Sequence, residues 1–239
     1  MHSQEVSKYY DDFVAQQATS ALNERIFSLY KRIRKAGLKT DSNVLELGCG
    51  IGAFSYLLTQ RVKKGTIEAV DISSKSIAFA ESKIKKRNIH FRTGNIVSYK
   101  PDQTAYDFIT LFDVIEHIPL QEHDQLFKNV SNHMNEHTKL LINIPNPRYI
   151  GYDRIHQPEM LQIIDETVYL NSLCHVLYKN NLYVQLFRTC SIWAKDDYQY
   201  LIVHKNHPFK EIKLAAIRTL PQKIRERVKR ELRKRLYKF

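Results

Sequence analysis

The clearest structural signal in this chain is the stretch Val44-Leu45-Glu46-Leu47-Gly48-Cys49-Gly50-Ile51-Gly52-Ala53. It begins with a short, mostly apolar run that is typical of a buried strand, and a helical pattern follows at residues 54–61. Three glycines stand between the two. Glycine has no Cβ to keep a ligand away from the backbone, and the first turn of a helix offers free N–H donors. The stretch therefore predicts a strand, a ligand-binding loop and a helix.

The alternation of strands and helices continues along the chain on both sides of this loop. Strands are predicted at residues 43–47, 66–70, 90–93, 106–112 and 139–144, and helices at 54–61, 74–87 and 121–134. Two further short strands, around the polar turn Lys195–Asp197 within residues 190–204, predict a terminal antiparallel hairpin. The pattern is that of an α/β, Rossmann-like, doubly wound and mostly parallel seven-stranded sheet. Its ligand site is expected at the carboxyl ends of the strands.

The chain divides into three predicted parts. Residues 1–36 have helical periodicity up to Gly37 and form an N-terminal helical cap. Residues 37–206 form the α/β domain, with an insertion at 149–189 that contains a helix predicted at 165–180. Residues 207–239 form a basic amphipathic C-terminal helix.

The net charge of +12 is concentrated in that C-terminal segment. Residues 210–239 contain 12 Lys and Arg and 3 Glu, a net charge of +9, so the rest of the chain carries only +3. The three cysteines lack the spacing of a metal site, and the N-terminal residues lack the apolar core of a secretory signal. We therefore expect free thiols and a cytoplasmic protein.

The glycine loop alone is compatible with two ligands. Gly48, Gly50 and Ala53 satisfy the dinucleotide fingerprint, and Asp71, about 20 residues further on, is placed to bind a ribose diol. An NAD-dependent oxidoreductase is therefore one hypothesis. A tight turn without any ligand is another.

Three further features distinguish these hypotheses. Glu46 precedes the glycines, where a carboxylate can hold the ammonium group of a methionine moiety. Gly94-Asn95-Ile96 follows the third strand, where a polar side chain can meet an adenine amino group. The fourth strand runs into Phe112-Asp113-Val114-Ile115-Glu116-His117-Ile118-Pro119.

Taken together, these segments resemble the successive motifs of class I S-adenosylmethionine-dependent methyltransferases. The resembling segments are 44–52, 69–73, 94–96 and 113–119, within a resemblance that covers about residues 40–147. The nearest branch is similar to the ubiquinone-biosynthesis O-methyltransferases, which act on small molecules. Each motif alone has low specificity, but the set occurs in the order and at the intervals of that family.

The resemblance implies S-adenosylmethionine as cofactor, S-adenosylhomocysteine as product and a set of binding residues. The implied residues are Tyr10, Glu46, Gly48, Cys49, Gly50, Asp71, Ile72, Asn95, Ile96, Phe112 and Asp113. Asn95 departs from the family, which usually has Asp there. Tyr10 belongs to a segment similar to one that often closes over the cofactor; a helix that docks its aromatic rings on the core is the alternative.

Two roles are open for His117. It is a candidate general base, because it follows the fourth strand and histidine titrates near neutrality, or it only lines the pocket. His156 is a second, weaker catalytic candidate. Asp113, Glu116, His117 and His156 also resemble the metal ligands of small-RNA 3′-end methyltransferases. Asp113 is shorter than the Glu expected there, however, and we do not expect a divalent metal.

The acceptor is not identified by the sequence. We expect methyl transfer to a hydroxyl or amine of a small molecule, with a glycan or a lipid-linked compound among the candidates. The basic C-terminal helix suits an anionic membrane surface at the inner face, packing on the α/β domain or a protein partner, or a nucleic acid. Its apolar stripe makes nucleic acid the weakest of the three. An RNA methyltransferase that uses the tail and a non-catalytic binding module remain alternatives.

Overall fold

A computed structural model of the chain describes residues 3–19, 21–103 and 106–236. The helices are α1 Ser3–Thr19, α2 Glu24–Lys35, α3 Ala53–Arg61, α4 Ser74–Lys83, α5 His123–Asn132, α6 Pro147–His156, α7 Leu170–Lys179, α8 Leu214–Ile217 and α9 Leu220–Leu236. The strands are β1 Val44–Leu47, β2 Ile67–Asp71, β3 Ile89–Thr93, β4 Phe108–Phe112, β5 Lys139–Pro145, β6 Leu182–Cys190 and β7 Tyr198–Lys205. Residues 1–206 and 207–239 are two compact units.

The seven strands form one sheet in the order β3-β2-β1-β4-β5-β7-β6. The first five are parallel, and β7 runs antiparallel between β5 and the edge strand β6. The predicted doubly wound, mostly parallel sheet with an antiparallel hairpin is confirmed. The strand order reverses between β1 and β4, and this switch point is where ligands of such sheets bind.

The central strands are nearly continuous apolar runs because both faces of the sheet are covered. Alternate side chains of one strand enter different hydrophobic clusters: Leu45 and Leu47 belong to one, and Val44 to the other. Helices α5 and α7 contribute to the first cluster, and α2, α3 and α4 to the second. The helices therefore cover the two faces separately, which holds the strand ends rigidly in place.

Three helical predictions need correction. The N-terminal helical region is two helices, because the Asn23 side chain accepts a hydrogen bond from the backbone N–H of Ile26 and starts α2 afresh. Helix α4 ends at Lys83 instead of residue 87, because the backbone of Ile84 is extended (φ −115°, ψ 92°) and its side chain packs in the hydrophobic core. Helix α7 begins at Leu170 instead of residue 165.

The region after β5 also differs from its prediction. Pro145–Pro147 ends β5, but Asn146 caps a helix that was not predicted, α6, and Pro147 occupies its first turn. The hairpin is longer and earlier than residues 190–204, because β6 is the segment Leu182–Cys190. Residues 191–197 form its turn.

The second unit contains the predicted basic helix. It is interrupted after α8, and Pro221 lies in the first turn of α9, where a missing N–H costs nothing. The predicted continuation through residues 237–239, like the start of the N-terminal cap at residues 1–2, lies outside the described residues. Within the ranges that the structure describes, no helix is both long and apolar enough to cross a membrane.

Candidate functional site

A cavity of about 380 Å³ opens at the carboxyl ends of the parallel strands. The glycine loop, the residues after β2 and β4, helix α1 and the segment around Gln162 line it. It lies beside the switch point between β1 and β4, as the topology requires. Of the predicted cofactor residues, the cavity is lined by Tyr10, Glu46, Gly48, Cys49, Gly50, Asp71, Ile72, Asn95, Ile96, Phe112 and Asp113.

The glycine loop has a backbone that only glycine adopts easily. Gly48 has φ +81°, and a Cβ on it would lie 2.3 Å from Cγ2 of Val114. The backbone N–H groups of Gly48 and Cys49 both donate to the carbonyl oxygen of Val70, at 2.8 and 2.9 Å. The loop is therefore fixed to the end of β2. Burial raises the pKa of the Cys49 thiol well above its ordinary value, so this cysteine lines the site as an uncharged group.

Asp71, at the end of β2, connects the glycine loop to the start of α4. Its Oδ2 accepts from the Gly50 N–H at 2.7 Å, and its Oδ1 accepts from the Ser73 N–H at 2.9 Å. Burial outweighs these hydrogen bonds and raises the pKa of the carboxyl. Each carboxylate oxygen keeps a further lone pair, which a ribose hydroxyl can use.

Glu46 is buried within β1, with 4% of its surface exposed. Its Oε2 accepts a hydrogen bond from Oγ of Ser55 at 2.6 Å. Burial raises the pKa of Glu46 to about 8, and the charge of Asp71 adds to the effect. The carboxyl is therefore largely protonated at neutral pH, and a cationic ligand at this point would favour its ionised form.

The opposite part of the cavity is apolar with one polar edge. Ile72 and the buried Ile96 line it, as does Asn95 between them in the loop after β3. Oδ1 of Asn95 accepts from the Val97 N–H at 3.0 Å, so the side chain stabilises the turn of its own loop, and its amide Nδ2 remains as a donor. Such a surface fits a flat heteroaromatic ring with polar substituents.

Three residues that line the cavity each have a buried polar atom without a hydrogen-bond partner within the described residues. These atoms are the hydroxyl of Tyr10, Oγ1 of Thr110 and Oε1 of Gln162. A buried polar atom without a partner costs free energy. Each of these atoms would gain a partner from a polar ligand, and the glycine loop leaves room for one. The residues present therefore fit an adenosyl cofactor with an amino-acid end.

Asp113 is held by two partners. Nη1 of Arg25 lies 2.8 Å from its Oδ2, and Nδ2 of Asn143 donates to its Oδ1 at 3.0 Å. The backbone of Asp113 has a φ of +56°, a conformation that residues other than glycine rarely adopt. These contacts fix the turn that carries the motif after β4, and they occupy the carboxylate with protein groups.

His117 is held through its Nδ1 atom. That atom lies 2.7 Å from the Ile164 carbonyl oxygen and 3.1 Å from Oδ1 of Asp165, so it carries a proton and donates. Burial lowers the pKa of His117, but the hydrogen bond to Asp165 and the charges of Glu116 and Asp165 outweigh it and raise the pKa above its ordinary value. The protonated form is favoured at neutral pH, and Nε2 is the nitrogen that deprotonates.

Glu116, beside His117, does not line the cavity directly. Both of its carboxyl oxygens are buried without a hydrogen-bond partner within the described residues, and Oε1 lies 4.0 Å from Nε2 of His117. Burial raises the pKa of Glu116, and the charge of His117 partly opposes this. The buried Glu116 carboxyl therefore lies beside the imidazole of His117, which itself lines the cavity.

The structure does not bring His156 to this cavity. Its ring packs against Tyr152 on the surface, with the ring centroids 4.3 Å apart. Asp113, the first of the weak metal candidates, is paired with Arg25. Across residues 3–19, 21–103 and 106–236, no group of three or more His, Cys, Asp or Glu side chains is arranged to hold a metal. From the insertion, Gln162 reaches the cavity instead.

The sequence did not indicate several residues of the site. Arg25 pairs with Asp113 across 88 positions of sequence, and Asp165 contacts His117 across 48, so no local pattern reveals either. Asn143 was detectable, because it is a fully buried polar residue within the apolar run of β5. A polar residue at such a position needs a partner, which here is Asp113.

This glycine loop, the acid at the end of β2 and the cavity at the switch point define an α/β protein that binds a nucleotide-like cofactor. A profile of the methyltransferase domain family matches residues 18–236. The chain belongs to this family. The oxidoreductase hypothesis leaves that membership unexplained.

Individual relatives are more distant. The chain is 31% identical over 104 residues to malonyl-[acyl-carrier protein] O-methyltransferase 1 of Ilyobacter polytropus, which covers 43% of this chain and 36% of that protein. It is 29% identical over 103 residues to (S)-coclaurine N-methyltransferase of Thalictrum flavum subsp. glaucum, 42% of this chain and 28% of that protein. The match thus spans only about a third of these relatives' lengths.

Among solved structures, the chain is similar to magnesium protoporphyrin IX methyltransferase from Synechocystis PCC 6803 with bound SAH. The TM-score is 0.67 at 15% identity, over 85% of this chain and 99% of that one. At this identity the likeness establishes the fold alone.

Proposed function

We propose that this protein transfers a methyl group from S-adenosylmethionine to a hydroxyl or amine of a small molecule. The observation that carries the proposal is the cavity at the carboxyl ends of the strands, where the Glu46 and Asp71 carboxyls flank the glycine loop. Family membership and a structural neighbour crystallised with SAH support the choice of cofactor. When bound, the cofactor supplies a methyl group already activated on a sulfonium.

In this proposal the chain holds the cofactor at three points. Glu46 binds the ammonium group, and Gly48 allows the amino-acid end to approach the backbone. Asp71 accepts the ribose hydroxyls. Ile72 and Ile96 enclose the adenine, with Asn95 at its edge. Cys49, Phe112 and Asp113 line the same cavity, and Tyr10 covers it from α1 with a hydroxyl that is free to bond a ligand.

We assign to His117 the role of the general base, which removes the proton from the acceptor. The contacts of Nδ1 with Ile164 and Asp165 leave Nε2 as the atom that gains and loses a proton. Because the pKa is raised, the basic form increases as the pH rises above neutrality. His156 lies at the surface and is not part of this proposal.

The acceptor class is inferred from the relatives and the cavity. The named relatives carry O- and N-methyltransferase in their names. Tyr10, Thr110 and Gln162 offer polar contacts, while Phe112 and Ile118 add apolar ones, a mixture that suits a phenol, a saccharide or a lipid-linked compound. We also propose that this chain belongs to a branch of the family close to the ubiquinone-biosynthesis O-methyltransferases.

The predicted parts of the chain keep their roles here. Residues 37–206 would be the catalytic domain, 149–189 its acceptor-side wall, 1–36 its cap and 207–239 a basic helical extension. We propose a cytoplasmic enzyme that works at the inner face of the membrane, supported by the free thiols of Cys49, Cys174 and Cys190 and by the charge of α9.

The test is a transfer assay with methyl-labelled S-adenosylmethionine. The purified chain is incubated with the low-molecular-weight and the macromolecular fractions of a cell extract, and the product is identified by mass spectrometry. We expect label in the small-molecule fraction, on oxygen or nitrogen, and much less with Asp71→Ala. Label confined to RNA or protein would contradict the proposal, as would donor binding without transfer to either fraction.

A further inference from the structure

Helix α9 has an apolar stripe that is exposed along its whole length. The exposed fractions are Leu220 71%, Ile224 56%, Val228 53%, Leu232 52% and Leu236 76%. None of the residues of α9 is buried. Leaving five large aliphatic side chains of one helix in water is unfavourable, so this stripe is a candidate binding surface.

The stripe is broad. Its residues recur every four positions, and at about 100° per residue each step advances the stripe by about 40°, so the five side chains span about 160° around the axis. Six of the eight basic residues fall on the opposite half: Lys223, Arg227, Lys229, Arg230, Arg233 and Lys234. Seen along its axis, α9 therefore has one apolar half and one cationic half.

The charge of α9 is strongly positive. Its 17 residues include eight Lys or Arg and two Glu, a net charge of +6. Both acidic side chains already have partners: Glu226 pairs with Arg218 at 2.6 Å, and Glu231 with Lys234 at 3.2 Å. The remaining charge makes the cationic half complementary to an anionic surface.

We propose that α9 binds the surface of an anionic lipid bilayer. The apolar half would enter the boundary between headgroups and acyl chains, and the basic side chains would contact lipid phosphates and carboxylates. Phosphate binding by RNA would not require the aliphatic half. A partner helix would need a narrow seam at a spacing near 3.5 residues, and the four-residue spacing drifts away from such a seam.

The test measures co-flotation of the full chain with lipid vesicles. One set is phosphatidylcholine alone, and the other contains added phosphatidylserine. Binding to the anionic vesicles is expected to be about tenfold or more tighter than to the neutral ones and to weaken as salt is raised. Equal binding to both sets would overturn the proposal.

Substitutions in the full chain separate the two halves of the helix. The triple variant Ile224→Ser, Val228→Ser, Leu232→Ser keeps the charge, and we expect at least about tenfold weaker binding to anionic vesicles. The matched control Ile224→Leu, Val228→Leu, Leu232→Ile keeps the apolar half and should bind like the wild type. Replacing Lys229, Arg230 and Arg233 with Gln should weaken binding by about fivefold per charge.

Two further results would also overturn the proposal. If the serine variant retains full vesicle binding, the apolar half of α9 does not enter the bilayer. If the wild type binds a homopolymeric RNA but no vesicles, α9 is a nucleic-acid arm. Circular dichroism checks that the variants stay helical. Binding of S-adenosylhomocysteine should be the same in all variants, so failure of this proposal and failure of the proposed methyltransferase function are distinguishable.

Discussion

The titration of Glu46 links cofactor binding to pH. The carboxyl is buried beside the glycine loop with a pKa of about 8, and an ammonium group would bind only its ionised form. The stability of the unliganded protein depends on pH in the opposite direction, because the folded state holds the Glu46 proton more tightly than the unfolded state does. The free energy of unfolding contributed by this group therefore falls as the pH rises from about 4.5 to about 8.

We predict that the affinity for S-adenosylhomocysteine rises between pH 6 and 8. Glu46 must lose its proton to bind the ammonium group, so the Kd should fall on the order of tenfold or more over this range. Isothermal titration calorimetry in buffers of different ionisation enthalpy would detect the released proton. Glu46→Gln should bind weakly with a flat pH dependence. A wild-type Kd that is constant across this range would show that Glu46 does not contact the ammonium group.

The second residue-scale prediction concerns Asp165 as a positioning residue. Its hydrogen bond and charge offset the burial of His117, so Asp165→Asn should lower the pKa of that imidazole. The measurement is an NMR titration of the His117 ring. The limb of the pH–rate profile that belongs to the base should move to lower pH by the same amount.

A neighbouring carboxylate provides the control for this variant. The backbone N–H of Glu166 donates to the Glu116 carbonyl oxygen at 2.7 Å, and its carboxylate has no hydrogen bond or ion pair to the parts of the chain that the structure describes. Glu166→Gln should leave the His117 titration unchanged. If Asp165→Asn also leaves it unchanged, Asp165 does not set the protonation of His117.

At the scale of elements, the hairpin of β6 and β7 depends on one buried side chain. Asp197 is fully buried and accepts from the backbone N–H groups of Ile192, Trp193 and Ala194 at 2.8, 2.7 and 3.0 Å. Its own carbonyl oxygen accepts from the Asn146 N–H at 2.7 Å, where β5 passes into α6. The turn is thereby tied to the start of α6.

Replacing Asp197 with Ala should therefore destabilise the protein. Three N–H groups would lose their acceptor, and we expect the free energy of unfolding to fall by about 2–4 kcal/mol. Urea unfolding followed by circular dichroism measures the change. Lys195→Ala, at an exposed position of the same turn, should change stability by less than about 0.5 kcal/mol. Equal effects of the two variants would show that Asp197 does not hold the turn.

The elements differ in how far the sequence predicts them. Strands β1, β2, β4 and β5 are predictable because burial on both faces requires continuous apolar runs. The edge strand β6 is half exposed, so its pattern is mixed and its position was wrong. Helix α6 begins with the Asn146 cap and Pro147, directly after the end of β5. From the sequence alone, a proline at this position indicates a loop after the strand as well as it indicates the first turn of a helix.

The same distinction holds for the site. The cofactor side lies on residues next to strand ends, and the strand pattern itself brings Glu46, Gly48 and Asp71 together. The Asp113–His117 part of the cavity, where we propose that the acceptor binds, depends on contacts between distant segments, such as Arg25 with Asp113 and Asp165 with His117. These contacts exist only in the folded chain, and a local sequence pattern does not contain them.

At the scale of the whole molecule, we expect the cavity to bind an adenosyl-methionine cofactor and not a dinucleotide. Ligand binding to the native state stabilises the entire fold by mass action. Gly48 and Gly151 provide a matched pair of variants. A Cβ at Gly48 would meet Val114 at 2.3 Å, whereas a Cβ at Gly151 has nothing within 4 Å.

The most direct test is thermal unfolding of the full chain with S-adenosylhomocysteine and, separately, with NAD. At a concentration of about a hundred times its Kd, S-adenosylhomocysteine should stabilise the fold by about 2.7 kcal/mol and raise Tm by roughly 5 °C. NAD should have no effect. Gly48→Ala should lose the shift, and Gly151→Ala should keep it. Stabilisation by NAD but not by S-adenosylhomocysteine would contradict the account.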